Sequence, residues 1–184
     1  NAAQYLGISL AESARALQSF GTVKGRMESI ENSRELTIII DYAPEPAGME
    51  QALRAAQMIP HKRLIHVFGA TGGHRDVSKR FEFGKISAQF ADTIIITNDD
   101  VYETPPTEIA ADIMKGVESL GEKKKASSVL TVLDRKEALA KALEIAEPKD
   151  LIIVTGKGSE QFLVLPGNKR IDWDERTIIE ELLK

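Results

Sequence analysis

Five short apolar runs in this sequence each end in charged or glycine-bearing residues, and those residues could do chemistry. Asp41-Tyr42-Ala43-Pro44 follows the first run and Gly69 to Asp76 the second; Asn98 to Tyr102, Asp134-Arg135 and Gly156 to Glu160 follow the others. Arg75 offers a planar guanidinium, which makes bidentate contacts to carboxylate or phosphate. It comes just after Gly72-Gly73, where backbone can approach closely. Glu160 lies on a glycine-containing loop and can receive an ammonium group. Together they read as a clamp for an amino acid, its carboxylate on Arg75 and its amine on Glu160.

Other chemistries fit less well. The Gly69 to Gly73 loop resembles a phosphate-binding turn but does not match G-x-G-x-x-G. Gly156-Lys157-Gly158-Ser159 is no Walker A loop, because Leu151 stands where the template needs glycine and Gly158 follows the lysine. The three histidines are scattered without metal-ligand spacing, so no metal site is expected, and no Ser-His-Asp arrangement appears. His66 lies within an apolar run and reads as a satisfied core histidine, His61 as a solvated turn residue, and His74 sits in the candidate site loop.

The elements that must position these residues follow from the pattern. Strands are expected at 36–40, 64–68, 93–97, 129–133 and 151–155, each nearly continuous in apolar residues, as strands buried on both faces are. Helices are expected at 47–58, 78–90, 106–117 and 135–146, with Asp134 and Glu137 as a capping pair. A weaker strand is expected at 161–165 and a last helix from about Asp174. Residues 1–20 read as helical, with Ser9 and Glu12 capping a second helix. Strand–helix alternation of this kind predicts a three-layer α/β fold: a mostly parallel, Rossmann-like sheet with helices on both faces. Ligands of such sheets bind beyond the carboxyl ends of the strands, which is where the charged residues fall.

Composition narrows the class. Of 184 residues, 42% are hydrophobic, enough for a core, and the net charge of -4 gives no clustered basic surface for nucleic acid. Lys123-Lys124-Lys125 reads as a solvated loop. There is no cysteine, so disulfides and thiolate metal sites are excluded, and a cytoplasmic setting is expected. No apolar run approaches the ~20 residues of a membrane helix. The opening at Asn1 in a helical pattern, without a methionine, reads as the start of a fragment.

These motifs, in this order, resemble the C-terminal domain of the Mur ligases, nearest the UDP-N-acetylmuramoyl-tripeptide synthetase branch. Gly25-Arg26-Met27-Glu28 is similar to the family's G-R-M-E linker, and Asp41-Tyr42-Ala43 to the start of D-Y-A-H-T-P. Phe68-Gly69, Gly72-Gly73, Arg75-Asp76 and Lys79-Arg80 follow F-G-x-x-G-G-x-R-D-x-x-K-R. Asp134-Arg135 with Ala138 resembles D-R-x-x-A; Gly156-Lys157-Gly158 with Glu160 resembles G-K-G-H-E; and Asp174-Glu175-Arg176 fits a closing D-D-R.

The resemblance implies an ATP-dependent amide ligase. It activates a carboxylate of a UDP-linked muramoyl peptide and lets an amino acid's amine attack, in peptidoglycan synthesis. Residues 1–24 would be the tail of a central ATPase domain plus linker, and residues 25–184 the C-terminal domain. ATP would touch Arg26 and Asp41, while Mg2+ ligands would lie mainly in the central domain. Arg75, Gly156 and Glu160 would hold the acceptor, and Asp99, Asp100 and Tyr102 occupy the place of D-N-P-R, which chooses the acceptor in diaminopimelate-adding members. No nucleic-acid or membrane partner is implied, and no catalytic residue is expected within this chain.

Three residues depart from the family pattern. Pro44 replaces the motif histidine, Ser159 replaces the histidine before the glutamate, and Tyr102 replaces the specificity arginine. The last predicts an acceptor other than meso-diaminopimelate, such as lysine. A polyglutamate-type ligase domain and a non-catalytic module keeping the fold are the alternatives. A dinucleotide oxidoreductase is disfavoured, because no glycine fingerprint follows the first strand. With no P-loop in its sequence, this chain should unfold cooperatively yet release no phosphate from ATP above background with any amino acid; robust ligation by the chain alone would refute the division of labour.

Overall fold

The computed structural model describes residues 2–19 and 21–184. Its elements are α1 (Ala2–Tyr5), α2 (Leu10–Ser19), β1 (Glu28–Ile30), β2 (Thr37–Asp41), α3 (Pro46–Gln57), β3 (Leu64–Phe68), α4 (Ser78–Phe90) and β4 (Thr93–Ile96). They continue with α5 (Pro106–Glu118), β5 (Ser128–Thr131), α6 (Arg135–Ile145), β6 (Leu151–Thr155), β7 (Phe162–Leu165), β8 (Lys169–Asp172) and α7 (Glu175–Leu182).

The N-terminal helical segment divides into two helices because Ser9 caps the second. The Glu12 amide donates to Ser9 Oγ at 3.2 Å, and the Ser9 amide donates to Glu12 Oε2 at 2.9 Å. The expected ends of that segment, Asn1 and Phe20, lie outside the described residues. Neither α1 nor α2 buries a residue against the rest of the chain.

The main sheet has six strands in the order β1-β2-β6-β3-β4-β5, parallel except for β1, which runs antiparallel to β2. Right-handed crossovers dictate the layers. Passing from β2 through β3 and β4 to β5 places α3, α4 and α5 on one face. The return from β5 to β6 runs the other way across the sheet, so α6 lands on the opposite face, where α7 joins it. Two cores result. Ile39, Leu64, Phe68 and Ile153 pack under Met49, Leu53, Phe83 and Ile113; Ile38, Ile40, Ile65, Val67 and Ile152 pack under Leu139, Leu143 and Ile179. Strands with apolar residues on both faces explain the continuous runs in the sequence.

Two strands, β1 and β8, go beyond those expected. The three-residue β1 extends the sheet beside β2, and the expected 161–165 strand is half of a separate hairpin, β7 pairing antiparallel with β8. That hairpin crosses the carboxyl end of β4: the Val101 amide donates to Val164 O at 2.9 Å, and the Val164 amide donates to Asp100 Oδ1 at 2.8 Å.

Arg135, the first residue of α6, fastens the rim from beneath. Its side chain is fully buried, and its Nε donates to both carboxylate oxygens of Glu175, at 3.1 and 3.2 Å. Its other nitrogens donate to Asn98 O (3.0 Å) and Thr155 O (2.9 Å), and the Trp173 indole donates to Glu175 Oε2 at 2.7 Å. Breaking a buried pair from one side leaves an uncompensated charge. Glu175→Gln should therefore destabilise the chain by about 3–5 kcal/mol, read from its urea unfolding midpoint. A loss of a few tenths would show that the pair contributes little.

Candidate functional site

β6 lies between β2 and β3, so the loops leaving β2, β3, β4 and β6 surround one cleft of about 340 Å³. Tyr42, Pro44, Ala70, Arg75, Lys79, Asp99, Asp100, Tyr102, Gly156, Glu160 and Phe162 line it. All six acceptor-site residues expected from the sequence thus share one cavity.

Its floor is a charge cluster. Asp99, Asp100 and Glu160 converge, each offering an oxygen within 4.8 Å of the others. The ammonium of Lys157, whose side chain is fully buried, donates to Glu160 Oε2 at 2.6 Å and to Asp100 Oδ1 at 2.9 Å, with Asp99 Oδ1 3.9 Å away. Burial alone would lower the lysine pKa, but Asp99, Glu160 and Asp100 outweigh it and hold the ammonium above its ordinary value. The Asp100 amide donates to Asp99 Oδ1 at 2.7 Å, fixing the two neighbouring carboxylates relative to one another. Tyr42 donates its hydroxyl weakly to Glu160 Oε1 at 3.4 Å. Burial, then Glu160 and Asp99, push that phenol's pKa up.

The cationic side is different in kind. Arg75 is exposed at the cleft and makes no hydrogen bond or ion pair among the described residues, so its guanidinium is available to a ligand. Lys79 pairs with Glu45 at 2.5 Å, whereas Arg80 is buried and turns to Glu108 and Asp112 on α5. The glycine turn is no phosphate cradle. The Gly72 amide donates to Asp100 O and the Gly73 amide to Thr104 Oγ1, both at 2.8 Å. A Cβ on Gly72 would come within 2.1 Å of Val101 O, so this glycine permits the loops after β3 and β4 to pack together. Tyr102 is half-buried with its ring against Gly73.

The linker is fastened to the same loops. Gly25 has φ +66°, and a Cβ there would lie 2.2 Å from the Ser159 amide nitrogen, so backbone meets backbone. Lys24 pairs with Asp174 at 2.7 Å and Glu28 with Arg176 at 2.6 Å. Asp174 is partly buried, which opposes ionisation, yet Lys24 and the Thr177 amide hold its pKa down at about 2. Asp41 accepts from the Met27 amide at 2.8 Å, and Arg26 is exposed with its guanidinium 4.5 Å from the centre of the Tyr42 ring. Arg26 and Asp41 are therefore neighbours, but they stand outside this cleft's lining.

Sequence reasoning named Lys157 only as part of a motif and passed over Phe162 and Glu175 as site-building residues. The available signal was a lysine between two glycines at the end of a strand, facing a rim rich in carboxylates.

A parallel sheet with an amino-acid-sized charged cleft at its strand ends defines a Rossmann-like ligand-binding domain. The family described as Mur ligase, glutamate ligase domain matches residues 25–158, and the chain belongs to the Mur ligase family. A relative from Caldanaerobacter subterraneus subsp. tengcongensis, named UDP-N-acetylmuramoyl-L-alanyl-D-glutamate–2,6-diaminopimelate ligase, is 40% identical over 181 residues, 98% of this chain and 36% of the relative. One of the same name from Clostridium botulinum is 38% identical over 180 residues, 97% of this chain and 35% of the relative. A solved diaminopimelate ligase of that name superposes with TM-score 0.77 at 26% identity, covering 99% of this chain and 36% of the other. Folylpolyglutamate synthase from Thermotoga maritima shares the fold, with TM-score 0.55 at 17% identity, covering 81% of this chain and 31% of that one. The chain thus spans about 36% of the length of its first relatives.

His66 is a core histidine, as its place in a strand implied. It is fully buried, with Nδ1 2.8 Å from Ser87 Oγ and Nε2 3.0 Å from Thr155 Oγ1. Burial, assisted by the charge of Arg135, lowers its pKa from 6.5 to about 3. The unfolded chain therefore binds more protons than the folded one between those values, and stability falls as pH falls through that window. The slope should approach ~1.4 kcal/mol per pH unit. Urea midpoints measured across this range should show the decline, and His66→Asn should flatten it; an unchanged profile in the variant would locate the acid sensitivity elsewhere.

Proposed function

We propose that this domain binds the acceptor amino acid of an ATP-dependent amide ligase that extends a UDP-N-acetylmuramoyl peptide in peptidoglycan synthesis. The observation that carries the reading is the polarity of one cleft: an unpaired Arg75 and a converged trio of carboxylates line the same cavity. A zwitterionic amino acid with a second ammonium suits both poles, its carboxylate on Arg75 and an ammonium on the floor of Asp99, Asp100 and Glu160. Residues 1–24 serve as the tail of an ATPase domain and its linker, and residues 25–184 as the acceptor domain, working in the cytoplasm.

ATP supplies the phosphoryl group that activates the carboxylate. Two observations fit a nucleotide contact: Arg26 is exposed, and among the described residues Asp41 has only one carboxylate oxygen engaged, by the Met27 amide. Mg2+ does not fit the acceptor floor, whose carboxylates already surround Lys157. Its ligands are proposed to lie outside this chain.

The acceptor is proposed to be lysine or a similar basic amino acid. A second carboxylate would meet Asp99 and Asp100, and Tyr102 offers no cation to receive it. The relatives' names favour meso-diaminopimelate as the second reading. A polyglutamate-type acceptor is disfavoured, because a side-chain carboxylate would face the same acidic floor.

Calorimetric titration of the chain separates these readings. A missing charge-assisted contact is worth about 1.5–3 kcal/mol, so lysine should bind roughly tenfold or more tighter than meso-diaminopimelate. Tyr102→Arg should narrow that ratio, and Arg75→Ala should weaken both ligands. Tighter binding of meso-diaminopimelate to the unaltered chain would establish the second reading, and preferential binding of glutamate the polyglutamate one.

A further inference from the structure

The buried ammonium of Lys157 is the charged group that acceptor binding does not use. Its side chain is fully buried, within 2.6 to 3.9 Å of all three floor carboxylates and 5.2 Å from the centre of the Phe162 ring. Those carboxylates are arranged as oxygen ligands are around a hard divalent cation: three from two different loops, all within 4.8 Å of one another. Without a cation between them, three converging carboxylates would repel one another and shift toward protonation. Lys157 supplies that cation covalently, from the loop that also carries Glu160.

We infer that Lys157 is the specificity-determining cation of this cleft: it occupies the centre of a carboxylate constellation that would otherwise take a divalent metal ion, and leaves a floor suited to a single ammonium group. Three carboxylates against one buried ammonium leave an excess of negative charge facing the cleft. That excess attracts a cation, but the interior position is filled, so an incoming ion cannot be surrounded by carboxylates. An ammonium donates from one side and needs no such enclosure. Glu160 shows the division: Oε2 is held from below by Lys157, while among the described residues Oε1 has only the long contact from Tyr42. Asp100 is held likewise, its Oδ1 shared between Lys157 and the Val164 amide. The ammonium half of the inference rests on the acceptor reading above; the internal-cation half rests on the geometry alone.

Lys157→Met, which keeps the side chain's unbranched stem and removes the charged nitrogen at its end, is the test, with Mn2+ as probe. The unaltered chain should show only weak Mn2+ binding. Lys157→Met should bind Mn2+ at least about tenfold more tightly, with a thermal midpoint that falls relative to the unaltered chain and rises again by roughly 4 °C on adding Mn2+. Adding Asp100→Asn to that variant should remove the acquired site. If Lys157→Met does not fold unaided, refolding with Mn2+ should recover it, and failure to recover would overturn the inference. So would a folded variant with no gain in Mn2+ affinity, which would make Lys157 merely a tie between two loops. A measurement on the unaltered chain stands beside these. The Lys157 ammonium should give a slowly exchanging proton–nitrogen correlation near neutral pH, and its absence would also overturn the inference. Lysine titration keeps the two halves apart. Mn2+ gain in the variant without lysine binding to the unaltered chain would sink the acceptor reading alone. Lysine binding without Mn2+ gain would sink the internal-cation claim alone.

Discussion

The guanidinium of Arg135 lies fully buried under the rim, and the site above it is built outward from that position. Its donors reach Asn98 O and Thr155 O, the residues immediately before Asp99 and Gly156. Two loops from non-neighbouring strands, β4 and β6, are thereby held at a fixed separation by one planar group. Glu175 supplies the balancing charge and brings α7 and Trp173 with it. A buried ion pair gives little net stability over a well-packed apolar replacement. What it supplies here is placement, because no apolar side chain could hold two carbonyl oxygens and a carboxylate at once. The same charge helps to keep His66 neutral, so the packing of the sheet's centre also depends on it.

Arg135, Lys157, Arg75 and Arg26 differ in exposure. Arg135 and Lys157 are buried and saturated by acidic or carbonyl partners, and they determine where the loops lie. Arg75 and Arg26 are exposed, and neither forms an ion pair among the described residues. The glycine turn belongs with the first group: its amides are used within the protein, and its lack of side chains lets the neighbouring loop close over it. The site therefore combines an acidic floor only partly neutralised by Lys157 with an exposed guanidinium, a pairing suited to ligands that carry both charges.

Much of this was legible in the sequence, for identifiable physical reasons. Parallel strands covered on both faces must be apolar throughout, so β2, β3, β4 and β6 announce themselves to within a residue or two, while the half-buried edge strand β5 shows only a short apolar run. The polar residues cluster where the chain leaves those strands, and from that follows the placement of Arg75, Asp99, Asp100 and Glu160 around one cleft. The three-residue β1 carries too short a pattern to read, and its pairing is decided by the neighbouring β2. Partners distant in sequence were equally silent: nothing in Arg135 points to Glu175, forty residues on, nor in Lys157 to Asp100. The glycine turn misleads because the same residue type serves close ligand approach and close loop packing.

The fastening of the linker has a mechanical consequence. Lys24, Gly25, Met27 and Glu28 are each anchored to the sheet's rim or to α7, so this stretch is fastened to the domain at four successive points. Any swing of α1 and α2 relative to the sheet must be absorbed upstream of those anchors, around Gly21 and Thr22. A small torsional change there acts through a long lever. It would carry the two helices through an arc while leaving Arg26 above Tyr42 and Tyr42 within reach of Glu160. Whatever docks against those helices would meet the guanidinium and the acidic floor already in register with each other.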